Sequence, residues 1–420
     1  MTDLPYRNQR RLPNLVAVIV LAVAILVVVT GFTLANYRFA ASNAGGNDFI
    51  PRWLGTRLLL TQGQNPYSDE TSLAIQEFIY GRPAKVNEDQ VLFVYPLYAT
   101  LLFAPFSLTG DYALARAMWM TALEIALLIL AFLSLRLANW RPSLPVVAFT
   151  LIFALTWYHS VRPLINGNPS ILMALFVTSA LLAIRAGKDV AGGALLAMST
   201  IKPQAVILFL PLVLIWAYSR GRHRLIASAL VSLGALVLLA TIIEPAWLWQ
   251  NANQVLSYPD YTLAGTPGAI FALWLPAAGR WLGIILTLVL VGLLIWQWKV
   301  AWKRSFSVLL PVAFFTLAAT NLIGITTAAS NYIALFPGLV LLLAYWSHGG
   351  RRLRDWPAVS ALVTLLIGLW WLFWISRSDR AQSPVMFFPL PLLLIITMPF
   401  LTRFATSDAT RDTASRSPRN

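Results

Sequence analysis

Cysteine is absent from this chain, histidine occurs three times, and only 11% of the residues are charged. The first absence excludes disulfides, thiolate metal sites and cysteine nucleophiles. The scarcity of charge, against about 25% in soluble domains, excludes a large soluble protein. No glycine-rich phosphate loop with its lysine appears, and no serine-triad signature or histidine-rich metal cluster. No cofactor is therefore expected, and a divalent metal, while compatible with the chemistry, is not required by any residue cluster. Internal repeats and low-complexity segments are also missing.

What is present is apolar. Hydrophobic residues make up 58% of the 420, with 17 Trp, which indicates an all-α polytopic membrane protein. The formal charge of +15 does not indicate nucleic acid. The basic residues lie in short clusters between apolar runs, as orientation signals do. Runs able to form spans are 14–35, 112–135, 144–160, 169–184, 190–200, 204–218, 225–243, 281–298, 307–323, 331–346, 357–374 and 384–401. Several fall short of the roughly 20 residues a span needs, so tilted or partly buried helices are expected.

A further run, 91–108, is broken by Pro96 and Pro105. If it does not cross, the clusters beginning at Arg7, Arg136, Arg185, Arg220, Lys299, Arg351 and Arg403 share one side with roughly twice the basic residues of the other. It is therefore read as a re-entrant or interfacial helix. The expected organisation is a cytoplasmic N-terminus (1–13), about 12 transmembrane helices over 14–402, and a disordered cytoplasmic tail (403–420). A large first extracytoplasmic loop (36–111) carries juxtamembrane helices. Both termini are cytoplasmic, in a multi-pass plasma-membrane protein.

This topology gathers the polar residues on the outer face. Asp48 is the first acidic residue after the first span. Phe49, Trp53 and Leu54 recur at a helix-like spacing that would lay its segment on the membrane, leaving the carboxylate partly desolvated and more basic. Asp69, Glu70, Glu77, Glu88 and Asp89 read as loop solvation or helix-end charges. Lys202, before Pro203, lies between two short apolar runs, where a snorkelling lysine and a phosphate-binding cation are both compatible. Arg162 is a second cation at that level, with Asn166 and Asn168 suited to a phosphate or sugar hydroxyls. Glu124, in mid-span, is expected in a buried pair, with an arginine such as Arg116. His159 reads as a helix-end residue or a proton acceptor, and Ser330 or Asn331, before Tyr332, as a helix cap.

Four elements in order resemble glycosyltransferase family 87. They are Asn47-Asp48-Phe49 with Gly63-Gln64-Asn65-Pro66-Tyr67, the Phe93–Phe106 tyrosine-proline segment, Asn166-Gly167-Asn168-Pro169-Ser170, and Ile201-Lys202-Pro203-Gln204. The resemblance implies a GT-C fold and an inverting transfer, at the extracytoplasmic face, of mannose or another hexose from a polyprenyl-phosphate donor to a lipid- or glycan-linked acceptor. It assigns the loop aspartate's catalytic role to Asp48. Many members carry histidine where this chain has Asn331-Tyr332, so Asp48 acts alone or recruits His159. The chemistry then assigns Asp48 as base, Lys202 and Arg162 to the donor phosphate, and Asn166, Asn168, Asn331, Tyr332 and His159 to sugar or acceptor. A flippase of lipid-linked glycans is the alternative, but it predicts duplicated halves with midplane contacts. A scaffold would not need so long an outer loop.

Overall fold

The computed structural model describes residues 15–261, 265–324, 328–348, 355–377 and 383–415. The Arg7, Arg10 and Arg11 cluster, the Arg351, Arg352 and Arg354 cluster, and Arg380, Arg416 and Arg419 lie outside the described residues. Among those described the chain is helical, with no strand. The first half comprises α1 (Leu15–Ser42), α2 (Ile50–Gln62), α3 (Asp69–Tyr80), α4 (Thr100–Ser107), α5 (Tyr112–Leu137), α6 (Leu144–Thr156), α7 (Tyr158–Asn166), α8 (Ser170–Arg185) and α9 (Asp189–Ser199). It continues through α10 (Pro203–Val206), α11 (Phe209–Ser219), α12 (His223–Ile243), α13 (Trp247–Tyr261) and α14 (Pro267–Trp274). The last five are α15 (Gly279–Ala301), α16 (Phe306–Thr320), α17 (Phe336–His348), α18 (Trp356–Ser376) and α19 (Pro389–Ser415).

Each of the twelve expected runs carries a helix. Seven helices are long and apolar enough to cross a membrane, and the pair α6–α7, bent by 46°, would make an eighth. The other four runs are the shorter α8, α9, α11 and α16. Their brevity has a packing cause. In α16 every residue from Val308 to Thr320 is buried, so it is enclosed by other helices rather than matched to lipid. α1 is the opposite case, apolar all round and exposed along most of its length.

Three expectations are corrected. Phe49 and Trp53 are 0% and 2% exposed, packed inside the protein instead of lying on a membrane surface. Glu124 pairs with Asn36 Nδ2 at 2.8 Å, while Arg116 turns the other way and donates to the carbonyls of Asn43 (2.7 Å) and Ile165 (3.2 Å). The two sit eight positions apart on α5, about 12 Å along its axis, beyond a direct contact. Finally, α19 runs on to Ser415, well into the expected tail, because no glycine or proline interrupts 400–415.

Between α1 and α5 the chain builds a helical platform. α2 and α3 are followed by an irregular stretch, then by a 3₁₀ turn (Leu97–Ala99) and α4. The platform, the start of α8 and the α9–α10 link meet at one end of the bundle. α8 has 16 residues, about 24 Å of rise, so its first residue, Ser170, lies close to one bilayer face when Arg185 lies at the other.

Candidate active site

The site is assembled on a backbone contact between two turns. The Asp48 and Phe49 N–H groups both donate to Asn166 O at 3.1 Å. Gly167 makes this approach possible. Its φ is +71°, in the left-handed region, and a Cβ there would lie 2.5 Å from Phe49 Cβ. Trp119 of α5 donates from Nε1 to Gly167 O at 2.8 Å, and its ring stacks on Phe49 with centroids 5.5 Å apart. Arg116, 1% exposed, joins the end of α1 to α7 through the two carbonyls it holds. Gly167→Ala should therefore push Asp48 off the Asn166 turn, lowering thermal stability and activity together. A melting curve and an assay on one preparation would check this, and an active variant melting like the parent would refute it.

From Asp48 a line of side-chain hydrogen bonds enters the protein. Asn168 Nδ2 donates to Asp48 Oδ2 at 3.0 Å. Lys202 Nζ donates to Asn168 Oδ1 at 2.7 Å and to Ser170 Oγ at 2.8 Å. Ser170 Oγ lies 2.5 Å from Asn168 Oδ1 and 3.0 Å from Asn331 Oδ1, two acceptors for its single proton. Five residues from four segments far apart in sequence thus share one polar chain. Asp48 is half-buried, whereas Asn168, Lys202, Ser170 and Asn331 are buried. Asp48 Oδ1 has no hydrogen bond among the described residues, which leaves it able to take a proton.

Lys202 sits in the link between α9 and α10, where Pro203 opens the second helix. Tyr98 OH donates to Thr200 O at 3.0 Å, tying this link to the tyrosine-proline segment. Lys202 is 4% exposed. Burial lowers its pKa to about 7, with the charge of Asp48 opposing the shift and that of Arg52 adding to it. Two of its three N–H donors are engaged by Asn168 and Ser170.

The other expected site residues take different places. Asn166 contributes its backbone carbonyl. Arg162 lies over the Phe373 ring of α18, 6.0 Å from its centroid, outside the polar chain. Tyr332 donates its hydroxyl to Phe387 O at 2.9 Å. His159 is fully buried, with Nδ1 3.1 Å from Ala329 O and its ring 5.2 Å from that of Tyr332. Asn331 is in a 3₁₀ turn (Ala329–Leu335) that has no side-chain cap bond, so the capping role is replaced by the contact with Ser170.

Two residues were not singled out from the sequence. Ser170 is the junction of the polar chain, and its place directly after Asn168-Pro169 was the available signal. Arg52, four residues after Asp48, is one of the buried residues of α2 in the platform itself. Asp89, read as solvation, belongs near this group. The surrounding protein raises its pKa; the Val91 N–H and Arg52 oppose the rise, and Asp48 adds to it.

The sequence model of glycosyltransferase family 87 matches residues 93–320. The chain belongs to glycosyltransferase family 87. It is a multi-pass membrane glycosyltransferase, with a sugar donor and an acceptor as its substrates. The matched segment contains the tyrosine-proline segment, Asn168, Ser170 and Lys202, while Asp48 and Asn331 join them from outside it. No curated protein and no solved structure matches the chain. Asn331, beyond the matched segment, is hydrogen-bonded into the polar chain.

Proposed function

We propose that this enzyme transfers a hexose, mannose being the leading candidate, from a polyprenyl-phosphate donor to a hydroxyl of a lipid- or glycan-linked acceptor. Transfer takes place at the extracytoplasmic face, with inversion. The observation that carries the reading is the Asp48 carboxylate held one amide side chain away from the buried Lys202 ammonium.

The chemistry needs those two charges. The acceptor oxygen attacks the anomeric carbon as the bond from that carbon to the phosphate oxygen breaks. Asp48 takes the hydroxyl proton as general base. The polyprenyl phosphate departs carrying one more negative charge than it had in the donor, and Lys202 stabilises that charge. Ordinary glycoside cleavage needs a second, protonated carboxyl for its leaving group. A phosphate leaves as a stable anion, so one carboxylate suffices. Asn168 holds base and cation in register, while Ser170 and Asn331 extend polar contacts toward the sugar. The apolar tail lies among the helices.

The test is incubation of the purified protein with a panel of polyprenyl-phosphate sugars and acceptors, measuring release of the free polyprenyl phosphate. Release with one sugar, dependent on acceptor, is expected; none across the panel would remove the donor class. A pH dependence accompanies it. Below about 7 Lys202 is protonated in the free enzyme, and above that value it is neutral. Donor kcat/KM should therefore fall as pH rises through about 7, since this parameter reports the free enzyme. A profile flat between pH 6 and 9 (~3 units, wide enough to bracket the transition) would contradict the role of Lys202.

A further inference from the structure

Arg52 is the third residue of α2 and is 8% exposed. A guanidinium so enclosed is normally paired, because leaving water is costly for an ion. Among the described residues, none hydrogen-bonds or ion-pairs with this one, and its Nε is buried with no partner. The nearby acids act on it only at a distance: Arg52 opposes the rise in the Asp89 pKa, but neither Asp89 nor Asp48 forms an ion pair with it. Asp48 accepts from Asn168, and Asp89 Oδ1 accepts from Val91 N at 2.9 Å.

The surroundings hold this cation in place without neutralising it. Its guanidinium carbon lies 4.3 Å from the centre of the Tyr95 ring, an arrangement favourable for a cation. Tyr95 is fixed in turn, since Tyr67 OH donates to its carbonyl at 2.5 Å. Tyr67 belongs to the Gly63–Tyr67 motif, where Asn65 Oδ1 accepts from Tyr67 N and Asn65 Nδ2 donates to Gln250 Oε1 of α13. Gln254, also on α13, accepts from Val94 N at 2.9 Å. Val91 and Val94 have φ of +46° and +58°, a costly conformation for β-branched residues. The strained stretch, the Gln-Asn-Pro-Tyr motif and α13 together support one aromatic ring under one cation that makes no direct ion pair among the described residues.

A pre-positioned, largely buried cation with no direct hydrogen-bond or ion-pair partner among the described residues is complementary to an anionic ligand. We propose that Arg52 binds the phosphate of the lipid-linked donor, as a second cation alongside Lys202. The assignment rests on the donor reading above, and it gives Arg52 the phosphate role expected of Arg162. The planar guanidinium offers the phosphate two parallel N–H donors, which lysine cannot reproduce. After transfer the same fork holds the departing phosphate monoester.

The experiment uses the full chain in detergent and measures binding and thermal unfolding with three probes: a polyprenyl phosphate, the matching polyprenol and inorganic phosphate. The parent protein should bind the polyprenyl phosphate more tightly than either of the others. Arg52→Met should weaken that binding roughly 10- to 100-fold, as loss of a charged hydrogen-bonding partner does, and leave polyprenol affinity unchanged. Without ligand it should melt at or above the parent's temperature, because an unpaired buried charge has been removed. Arg52→Lys should recover only part of the affinity, and it carries the test if the methionine variant does not fold.

Equal affinity of parent and both variants for the polyprenyl phosphate would overturn the role of Arg52 alone. The same holds for a variant that merely melts early and binds normally. A parent protein that binds polyprenol as well as its phosphate would remove the donor reading, and this proposal with it. Inorganic phosphate binding as tightly as the lipid would replace the lipid donor by a free anion.

Discussion

Asp48→Asn should lower sugar transfer by about 10²- to 10⁴-fold, the range associated with a positioned general base, in a protein that folds as before. Asparagine keeps the shape of the side chain and an oxygen able to accept the Asn168 Nδ2 bond now made by Asp48 Oδ2. The backbone bonds from residues 48 and 49 to Asn166 O are untouched. What is lost is the affinity for a proton. Removing the Asp48 charge also takes away support for the Lys202 ammonium, so the comparison belongs well on the acid side of the lysine's transition; there donor affinity should change little and the loss should appear in kcat with KM nearly constant. Steady-state kinetics alongside a melting curve separates the outcomes. Activity within a few-fold of the parent would exclude Asp48 as the base and return weight to a flippase, which needs no proton acceptor there.

The parts of this architecture that depend on apolar runs could be read from the sequence. Helices need only local hydrogen bonds and a continuous apolar surface, and all twelve runs carry one. The site was legible as separate letters. Asp48, Asn168, Lys202 and Asn331 each stood out as polar residues at helix ends, but nothing local specifies which of four distant segments meet. Ser170, their junction, resembles an ordinary residue at the start of a helix. Arg162 and Lys202 looked equivalent, as basic residues beside polar turns. They differ because the bend at Trp157 directs α7, and Arg162 with it, toward Phe373 of α18. Arg52 was hidden by a similar ambiguity. A basic residue in an outer loop counts as a topology charge until burial removes the water that would justify its position.

Replacing Lys202 with methionine should be the second severe loss, about 10²- to 10³-fold in kcat, as for removal of one preorganised donor at the site of developing charge. Nothing comparable stands at the same point of the polar chain, so neither Asn168 nor Ser170 can supply the positive charge. Methionine resembles the lysine stem in length and leaves no buried ammonium to desolvate. Asn168 Oδ1 retains the Ser170 N–H at 3.0 Å. The variant should therefore melt near the parent, because what it loses in hydrogen bonds is offset by the removed cost of a buried charge. Lys202→Arg is not a rescue. The guanidinium is larger and presents a rigid fork where Nζ fits between two oxygens 2.7 and 2.8 Å away, so crowding should leave it nearly as inactive as methionine. The decline of kcat/KM above about pH 7, read as titration of this lysine, should disappear from the residual activity of the methionine variant. Persistence of the same pH profile would assign the titration to another group. A methionine variant with full activity would show that the departing phosphate needs no charge at this position.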